Sequence, residues 1–180
     1  PNWFDEAIRC FEASLRAQEA EFNLFAYVTF LHEHNQLASV ESLYLKILRT
    51  LNLNINSVHV LNSLGVFYHD VQRMEEAEKC YLRALQIGEL MSKSNPTEFE
   101  PGLALTAGNL GVFYHDFQRM IEAEKYHLQS LEIYERLAKS NPTQFKPFLA
   151  GASNNLAAFY HTVQSVGKAE KYYLQASEIY

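Results

Sequence analysis

The sequence predicts an all-α protein, an α-solenoid in which about nine helices form antiparallel pairs. The segment LGVFYHD at Leu64–Asp70 recurs at Leu110–Asp116, and the related LAAFYHT stands at Leu156–Thr162, so the copies are 46 residues apart. A fixed period of this size indicates a repeat array. Between the copies, apolar residues follow the spacing of amphipathic helices, and no alternating strand pattern occurs.

Composition excludes several classes of protein. The 180 residues suit one ordinary domain, and a hydrophobic content of 48% argues against disorder. The net charge of −6, with no block of Lys or Arg, argues against nucleic acid as a partner. No run of 18 apolar residues occurs, so the sequence predicts no membrane span.

The two cysteines, Cys10 and Cys80, stand in the matched contexts AIRCF and AEKCY. We interpret both as small buried apolar groups of a protein in a reducing compartment, the cytoplasm. The start Pro1-Asn2-Trp3 has none of the features of a signal peptide and no initiator Met. We therefore expect the chain to be part of a longer protein.

The first third of the chain predicts one and a half repeats. Apolar spacing predicts a helix over residues 4–15, the second helix of a partial repeat at 1–20. Helices at 22–34 and 37–50 form a divergent repeat at 22–51. The alternating Asn residues at 51–56 compete for backbone hydrogen bonds and end the preceding helix.

The remaining chain predicts three clearer repeats, at 56–95, 99–141 and 145–180. In the first, a helix runs to Asp70 and a second covers 73–93; the following second helices cover 119–139 and 166 onwards. The stops Ser94-Asn95-Pro96 and Ser140-Asn141-Pro142 end the long helices, because a proline disfavours helical geometry in the residue before it. Pro101 and Pro147 are predicted in the first turn of the next helices. The last helix is expected to continue past Tyr180.

Small and aromatic residues recur at fixed places in each pair. The first full unit has Leu61, Leu64, Gly65, Tyr68, Ala77, Tyr81 and Ala84. This pattern resembles the tetratricopeptide (TPR) signature. The resemblance implies a right-handed superhelix that binds a protein or peptide in its concave groove. We expect Gly65, Gly111 and Ala157 to lie where each first helix crosses its partner, opposite Ala77, Ala123 and Ala169.

The chain departs from the usual TPR pattern in period and in residues. The usual period is 34 residues, but here it is 37 and then 46. The longer period is similar to that of kinesin light chains and related bacterial TPR proteins. His127 and Ser130 replace the expected aromatic residue and Ala of the second helix.

The resemblance also implies which residues face the groove. A stripe of each first helix would line the concave surface, and it carries one His per unit; an Asn beside the signature Leu often holds a ligand backbone in related TPR proteins. The candidate binding residues are His32, Asn62, Val66, His69, Asp70, Asn109, Val112, His115, Asp116, Asn154, Asn155 and His161.

Three interpretations of the histidine row stand side by side. The row contacts a peptide, because histidine can donate, accept and stack. Alternatively, it is a surface feature copied with the repeat. Metal binding is disfavoured, since units roughly 10 Å apart cannot share ligands at about 2 Å.

The function predicted is therefore protein–protein interaction, with a peptide or partner segment held in the groove. The alternative is an architectural spacer or oligomerisation scaffold in a larger protein, and the unfinished ends predict self-association or fraying. No catalytic constellation, metal site or cofactor motif stands out beyond what the repeat explains, so we expect neither enzyme activity nor a cofactor.

Overall fold

The structure is a computed structural model, and it describes residues 41–45 and 55–179. The chain divides into two compact units, Pro1–Leu51 and Asn52–Tyr180. In the first unit, residues 41–45 are helical, within the helix predicted at 37–50. The helices predicted at 4–15 and 22–34, together with His32 and Cys10, lie outside the described residues. The single array over 1–180 remains a prediction.

The second unit contains six helices. They are α1 (Ile55–Asp70), α2 (Met74–Ser92), α3 (Pro96–Asp116), α4 (Met120–Ser140), α5 (Pro142–Thr162) and α6 (Val166–Ile179). With the segment at 41–45, the described residues hold seven helical elements and no strand, fewer than the nine helices predicted. The all-α solenoid class is confirmed. None of these helices has the length and apolar character needed to cross a membrane.

Neighbouring helices pack as antiparallel pairs. Gly108 of α3 lies against Ser130 of α4, while Gly111, later in α3, lies against the earlier residue His127. Every helix packs on the next, and the first helices of neighbouring units also contact one another, α1 on α3 and α3 on α5. Among the described second helices, α2, α4 and α6, no contact of that extent occurs. The first helices therefore form the inner side of this stack.

A left-handed glutamine ends each first helix. Gln72, Gln118 and Gln164 have φ of 62°, 57° and 57°. The amide of Gln72 donates to the carbonyl of His69 at 3.0 Å, and the next amide, Arg73, donates to the carbonyl of Tyr68 at 2.8 Å. These two bonds form the Schellman motif, in which a left-handed residue satisfies the last carbonyls of a helix. The same turn in each unit fixes the direction of the second helix.

The third and fifth helices begin earlier than predicted. They start at Pro96 and Pro142, where a missing N–H has no consequence. Pro101 and Pro147 therefore lie inside their helices, not in the first turn. The prediction was wrong because a proline in the second turn removes only one hydrogen bond near a helix end, and packing tolerates that loss.

Glycines at the helix crossings lie against aromatic rings. A Cβ on Gly65 would lie 2.6 Å from the Tyr81 ring, and one on Gly111 would lie 2.6 Å from the His127 ring. The close crossing is confirmed, although the rings, rather than the alanines we expected, lie opposite the glycines. The alanines Ala77, Ala123 and Ala169 are buried nearby.

The described cysteine, Cys80, is a free, half-buried thiol. Burial, and secondarily the nearby Glu76 carboxylate, raises the pKa of the Cys80 thiol to about 11. The thiol is therefore protonated and weakly nucleophilic at neutral pH.

Candidate partner-binding surface

The exposed sides of α1, α3 and α5 form a surface that we call the inner face. Val66 and Val112 occupy equivalent places there and are 40% and 38% exposed. Ala158 occupies the third equivalent place and is also exposed, as are Asp70 and Asp116 at the ends of their helices. The inner face therefore presents an apolar row with carboxylates at one edge.

Asn62, a predicted groove residue, is buried with only 3% of its surface exposed. Its amide donates to Thr106 Oγ1 at 2.6 Å and to the carbonyl of Val58 at 3.1 Å. The Thr106 hydroxyl donates to the carbonyl of Gly102, and the Asn109 amide donates to Asn62 Oδ1 at 3.3 Å. The polar atoms of Asn62 are therefore hydrogen-bonded within the protein, and its side chain closes the α1–α3 junction below the inner face. We call this hydrogen-bonded network the seal.

The next junction, between α3 and α5, lacks this seal. Counting 46 residues on, Gly108 stands where α1 has Asn62, and Ala152 stands where α3 has Thr106. Neither residue has a polar side chain. A cleft of about 220 Å³ opens here, which we call the α3–α5 cleft; its lining includes Leu105, Gly108, Asn109, Phe148, Gly151 and Asn155.

Two stacked aromatic rings form one wall of the α3–α5 cleft. Tyr134 of α4 and Phe148 of α5 lie 5.7 Å apart with an angle of 15° between their planes. Phe148 remains 51% exposed. The equivalent places in the preceding unit hold Gly88 and Gly102, which cannot form such a wall.

The polar group of the α3–α5 cleft is the Asn155 side chain. Asn155 is exposed, and within residues 55–179 its amide makes no side-chain hydrogen bond. Its equivalent in α3, Asn109, donates to Asn62, whereas Gly108 offers Asn155 no such acceptor. A free carboxamide donates two hydrogen bonds and accepts two, so it can pair with a peptide main chain. Asn154 beside it is also exposed, on the neighbouring side of the helix.

The described histidines of the row lie at the unit junctions. The His69 ring packs edge-on against Phe113 at 5.6 Å, and its Nε2 lies 3.3 Å from Asp116 Oδ2. The His115 ring packs the same way against Phe159 at 5.7 Å. His161 is exposed. Packing between units thus accounts for the first two positions, and ligand contact by this row remains a prediction.

His127 is a buried titratable residue that the candidate set did not include. Only 2% of its surface is exposed, beneath the Gly111 crossing and 5.8 Å from the Phe159 ring. Burial, assisted by nearby His115, lowers the pKa of His127 to about 4. The signal in the sequence was the departure itself, since Tyr81 and Tyr173 occupy the equivalent places.

A tyrosine–glutamate–cation cluster links neighbouring units and was also missed. The Tyr114 hydroxyl donates to Glu78 Oε1 at 2.7 Å, and Arg119 Nη1 donates to the same oxygen at 2.8 Å. One unit later, the Tyr160 hydroxyl donates to Glu124 at 2.6 Å and Lys168 Nζ lies 3.3 Å from it. The hydrogen bond from Tyr160, with help from Lys168, lowers the pKa of Glu124. The 46-residue spacing of the two glutamates was the available signal.

Metal binding finds no support in the part of the chain that the structure describes. No group of three or more His, Cys, Asp or Glu side chains there could hold an ion.

Comparison with known proteins agrees with this geometry. Two family models, each described as a tetratricopeptide repeat, match residues 103–142 and 58–87. The chain contains tetratricopeptide repeats. TPR units are protein-interaction modules, so the matched segments place the chain in that general class. No curated protein matches the chain by sequence.

Solved structures show the same fold. BtubC (BKLC) from P. vanneervenii is similar with a TM-score of 0.78 and 22% identity, over 99% of this chain and 73% of that one. MamA MSR-1 is similar with a TM-score of 0.54 and 17% identity, over 97% of this chain and 92% of that one. At these identities, the likeness extends to the TPR solenoid fold alone.

Proposed function

We propose that the inner face binds an extended segment of a partner protein and that the α3–α5 cleft is its main contact. The observation that carries this proposal is the unpaired Asn155 amide beside a cleft that the preceding junction lacks. A position that holds a sealing hydrogen-bond network in one unit and an open, partly polar cleft in the next is suited to a ligand.

The cleft would hold one or two side chains of the partner. Its volume of about 220 Å³ is below the ~300–1,000 Å³ of drug-sized pockets. Phe148 and Tyr134 supply flat apolar surface, which favours an aromatic or branched aliphatic side chain. The Asn155 carboxamide would hold the partner's main chain beside that side chain, fixing its register.

The rest of the inner face would extend the contact. Val66, Val112 and Ala158 give an apolar row along the first helices. Asp70 and Asp116 lie at its edge, and the chain carries a net charge of −6. The complementary partner segment is therefore apolar with Lys or Arg residues to one side, since matched charges steer association and set register.

The proposal is a binding role rather than an enzymatic one, in the reducing cytoplasm. The second candidate is an architectural spacer or an oligomerisation scaffold. It is favoured by the exposed apolar residues of the last helix, of which Val166 is 70% and Leu174 55% exposed. The two roles differ in location, because a spacer would not depend on the α3–α5 cleft.

Selection of peptides from a random library on the 180-residue protein would test the proposal. The affinity of a selected peptide is then measured for the parent, for Asn155→Ala, and for Gly108→Asn/Ala152→Thr, which fills the cleft with the residues of the preceding junction. We expect each change to weaken binding by about tenfold or more. Glu132→Ala, at an exposed position of α4 outside the inner face, is the control and should bind normally. Equal affinity for the parent and the filled-cleft variant would exclude the cleft.

A further inference from the structure

Gly151, which lines the α3–α5 cleft, is a glycine inside α5 with no packing partner. A Cβ built on Gly151 would have no atom within 4 Å. Four other glycines differ, because a Cβ on each would lie 2.6–3.2 Å from a neighbouring side chain; they are Gly65, Gly88, Gly108 and Gly111. Close packing of helices therefore explains those four glycines but does not explain Gly151.

Glycine at position 151 lowers the stability of α5. Inside a helix, glycine is less favourable than alanine, because its backbone loses more conformational freedom on folding. The backbone gives no reason for a glycine either, since no glycine of the described residues has a positive φ. Gly151 thus leaves an open space on the inner face at a cost in stability, and such a space suits the close approach of a ligand backbone.

A further unit packed after α6 would leave the space above Gly151 open. Counting 46 residues back, the equivalent residue of α3 is Leu105. The first helices on both sides, α1 and α5, contact α3, yet Leu105 is 41% exposed. This place therefore lies on the surface of the array even in a unit that has a neighbour on each side.

The Asn155 carboxamide lies beside that space. Asn155 follows Gly151 by one helical turn on the same side of α5, and both residues line the α3–α5 cleft. Helical side chains lean toward the N-terminus of their helix, so the carboxamide is directed over the turn that contains Gly151. In α3 the equivalent pair is closed to a ligand, because Leu105 fills the place of Gly151 and the Asn109 amide is bonded to Asn62.

We infer that the main chain of the bound segment crosses α5 at Gly151, an inference that rests on the proposed function of the inner face. The main chain lies directly on the helix there, where any Cβ would hold it away. The Asn155 carboxamide pairs with a main-chain N–H and C=O of the segment. Gly151 is therefore the residue of the cleft that determines which segments fit.

This crossing specifies the chemistry of the partner segment. Successive side chains of an extended chain point to opposite sides, so residues two positions apart face the protein together. The residue that faces Gly151 has to be small, which selects Gly, Ala or Ser. The apolar residue that enters the cleft beside Phe148 then lies two positions away. The partner segment thus pairs one large apolar residue with one small residue, separated by a single position.

Substitutions of Gly151 test the crossing, with a peptide selected on the parent from a random library as the probe. Gly151→Leu places the side chain of Leu105 at the equivalent position of α5 and should weaken the affinity by about tenfold or more; Gly151→Ala should weaken it about threefold. Gly151→Ala should also raise the melting temperature by ~2–4 °C, because its Cβ meets no atom and alanine favours the helix. Weaker binding by a more stable protein distinguishes ligand contact from packing.

Gly167→Ala is the matched control. Gly167 is also a helical glycine whose added Cβ would have no atom within 4 Å, but it lies in α6, outside the inner face. This variant should bind the peptide as the parent does.

A scan of the peptide by N-methylation tests the main-chain contact itself. Methylation of one main-chain amide should weaken binding to the parent about tenfold. The same methylation should have a much smaller effect on Asn155→Ala, since the contact is already missing in that variant. A scan that finds no such amide would overturn the crossing, because a side chain would then occupy the space above Gly151.

The remaining outcomes separate the crossing from the proposed function. If Asn155→Ala weakens binding but Gly151→Leu does not, the cleft binds the peptide and the crossing at Gly151 is wrong. A lowered melting temperature of Gly151→Ala would assign the glycine a packing role and would also overturn the crossing. If neither Asn155→Ala nor Gly108→Asn/Ala152→Thr weakens binding, the proposed function fails and the crossing fails with it.

Discussion

The α1–α3 and α3–α5 junctions join equivalent helices at the same 46-residue spacing, yet one is sealed and the other is open. In the first, Asn62, Thr106 and Asn109 are joined by hydrogen bonds. In the second, the cleft of about 220 Å³ takes the place of that network, and Asn155 is left with its amide free.

A few substitutions within the repeat produce this difference. Gly108 and Ala152 remove the polar seal, while Tyr134 and Phe148 introduce an aromatic wall where the preceding unit has Gly88 and Gly102. The first helices that frame the two junctions end at equivalent residues, Asp70, Asp116 and Thr162, and are followed by the same left-handed turn. A repeat array can therefore change one junction into a binding site without altering its scaffold.

The largest expected difference between the two junctions is in how their stability depends on pH. The His127 ring packs beneath the α3–α5 junction with a pKa lowered to about 4, whereas Tyr81 in the equivalent place does not titrate there. Below the unfolded value of about 6.5, the unfolded chain binds a proton that the folded chain does not, so stability falls as pH decreases. Denaturant unfolding should show a loss of about 2–3 kcal/mol from His127 between pH 7 and pH 4.5.

His127→Tyr is the matched variant, because it places the Tyr81 side chain in the same position. It should remove most of this pH dependence while leaving the free energy of unfolding near pH 7 within about 1.5 kcal/mol of the parent. An unchanged pH dependence in this variant would show that other groups titrate instead.

The next effect concerns the sealed junction. Asn62→Ala removes the donor to Thr106 and leaves Asn109 without its acceptor, so we expect a loss of about 2 kcal/mol in the free energy of unfolding. Asn154→Ala changes the equivalent exposed residue of α5 and should cost less than about 0.5 kcal/mol. Urea unfolding of both variants measures the contrast, and equal losses would contradict the assigned seal.

The smallest expected effect is an increase in the free energy of unfolding. Gly108→Asn/Ala152→Thr builds the sealing residues into the open junction and removes a helical glycine, so we expect about 1 kcal/mol of added stability. A Cβ at Gly108 would lie 3.2 Å from Ser130 Oγ, which has to shift by a few tenths of an ångström. Thermal unfolding tests this prediction. A large destabilisation would show that the residues of one junction cannot replace those of the other.

The sequence predicted where the helices of each repeat end better than it predicted the contacts between side chains. The helix ends at Asp70, Asp116 and Thr162 follow from the copied motif, and Asn141-Pro142 marks a boundary because proline acts locally. Asn62 was expected in the groove because the direction of its side chain was deduced from the periodicity of α1 alone. Its burial depends on Thr106 of the next unit, which no period within α1 reveals.

The histidine row shows the same limit. A shared register placed His69 and His115 on one face, but their packing against Phe113 and Phe159 depends on how consecutive units stack. Likewise, the α3–α5 cleft arises from residues that are absent, Asn at 108 and Thr at 152. Such a difference becomes visible only when the two junctions are superposed.

The side-chain amide of Asn155, followed by two-dimensional ¹H–¹⁵N NMR during titration with a library-selected peptide, tests the central claim most directly. The account predicts that the Asn155 NH₂ resonances shift with the peptide's binding isotherm, together with the backbone amides of Gly108 and Gly151. The Asn109 NH₂ resonances, already bonded to Asn62, should move less. Saturable binding that leaves the Asn155 amide unmoved and shifts residues of α2 or α6 would contradict it.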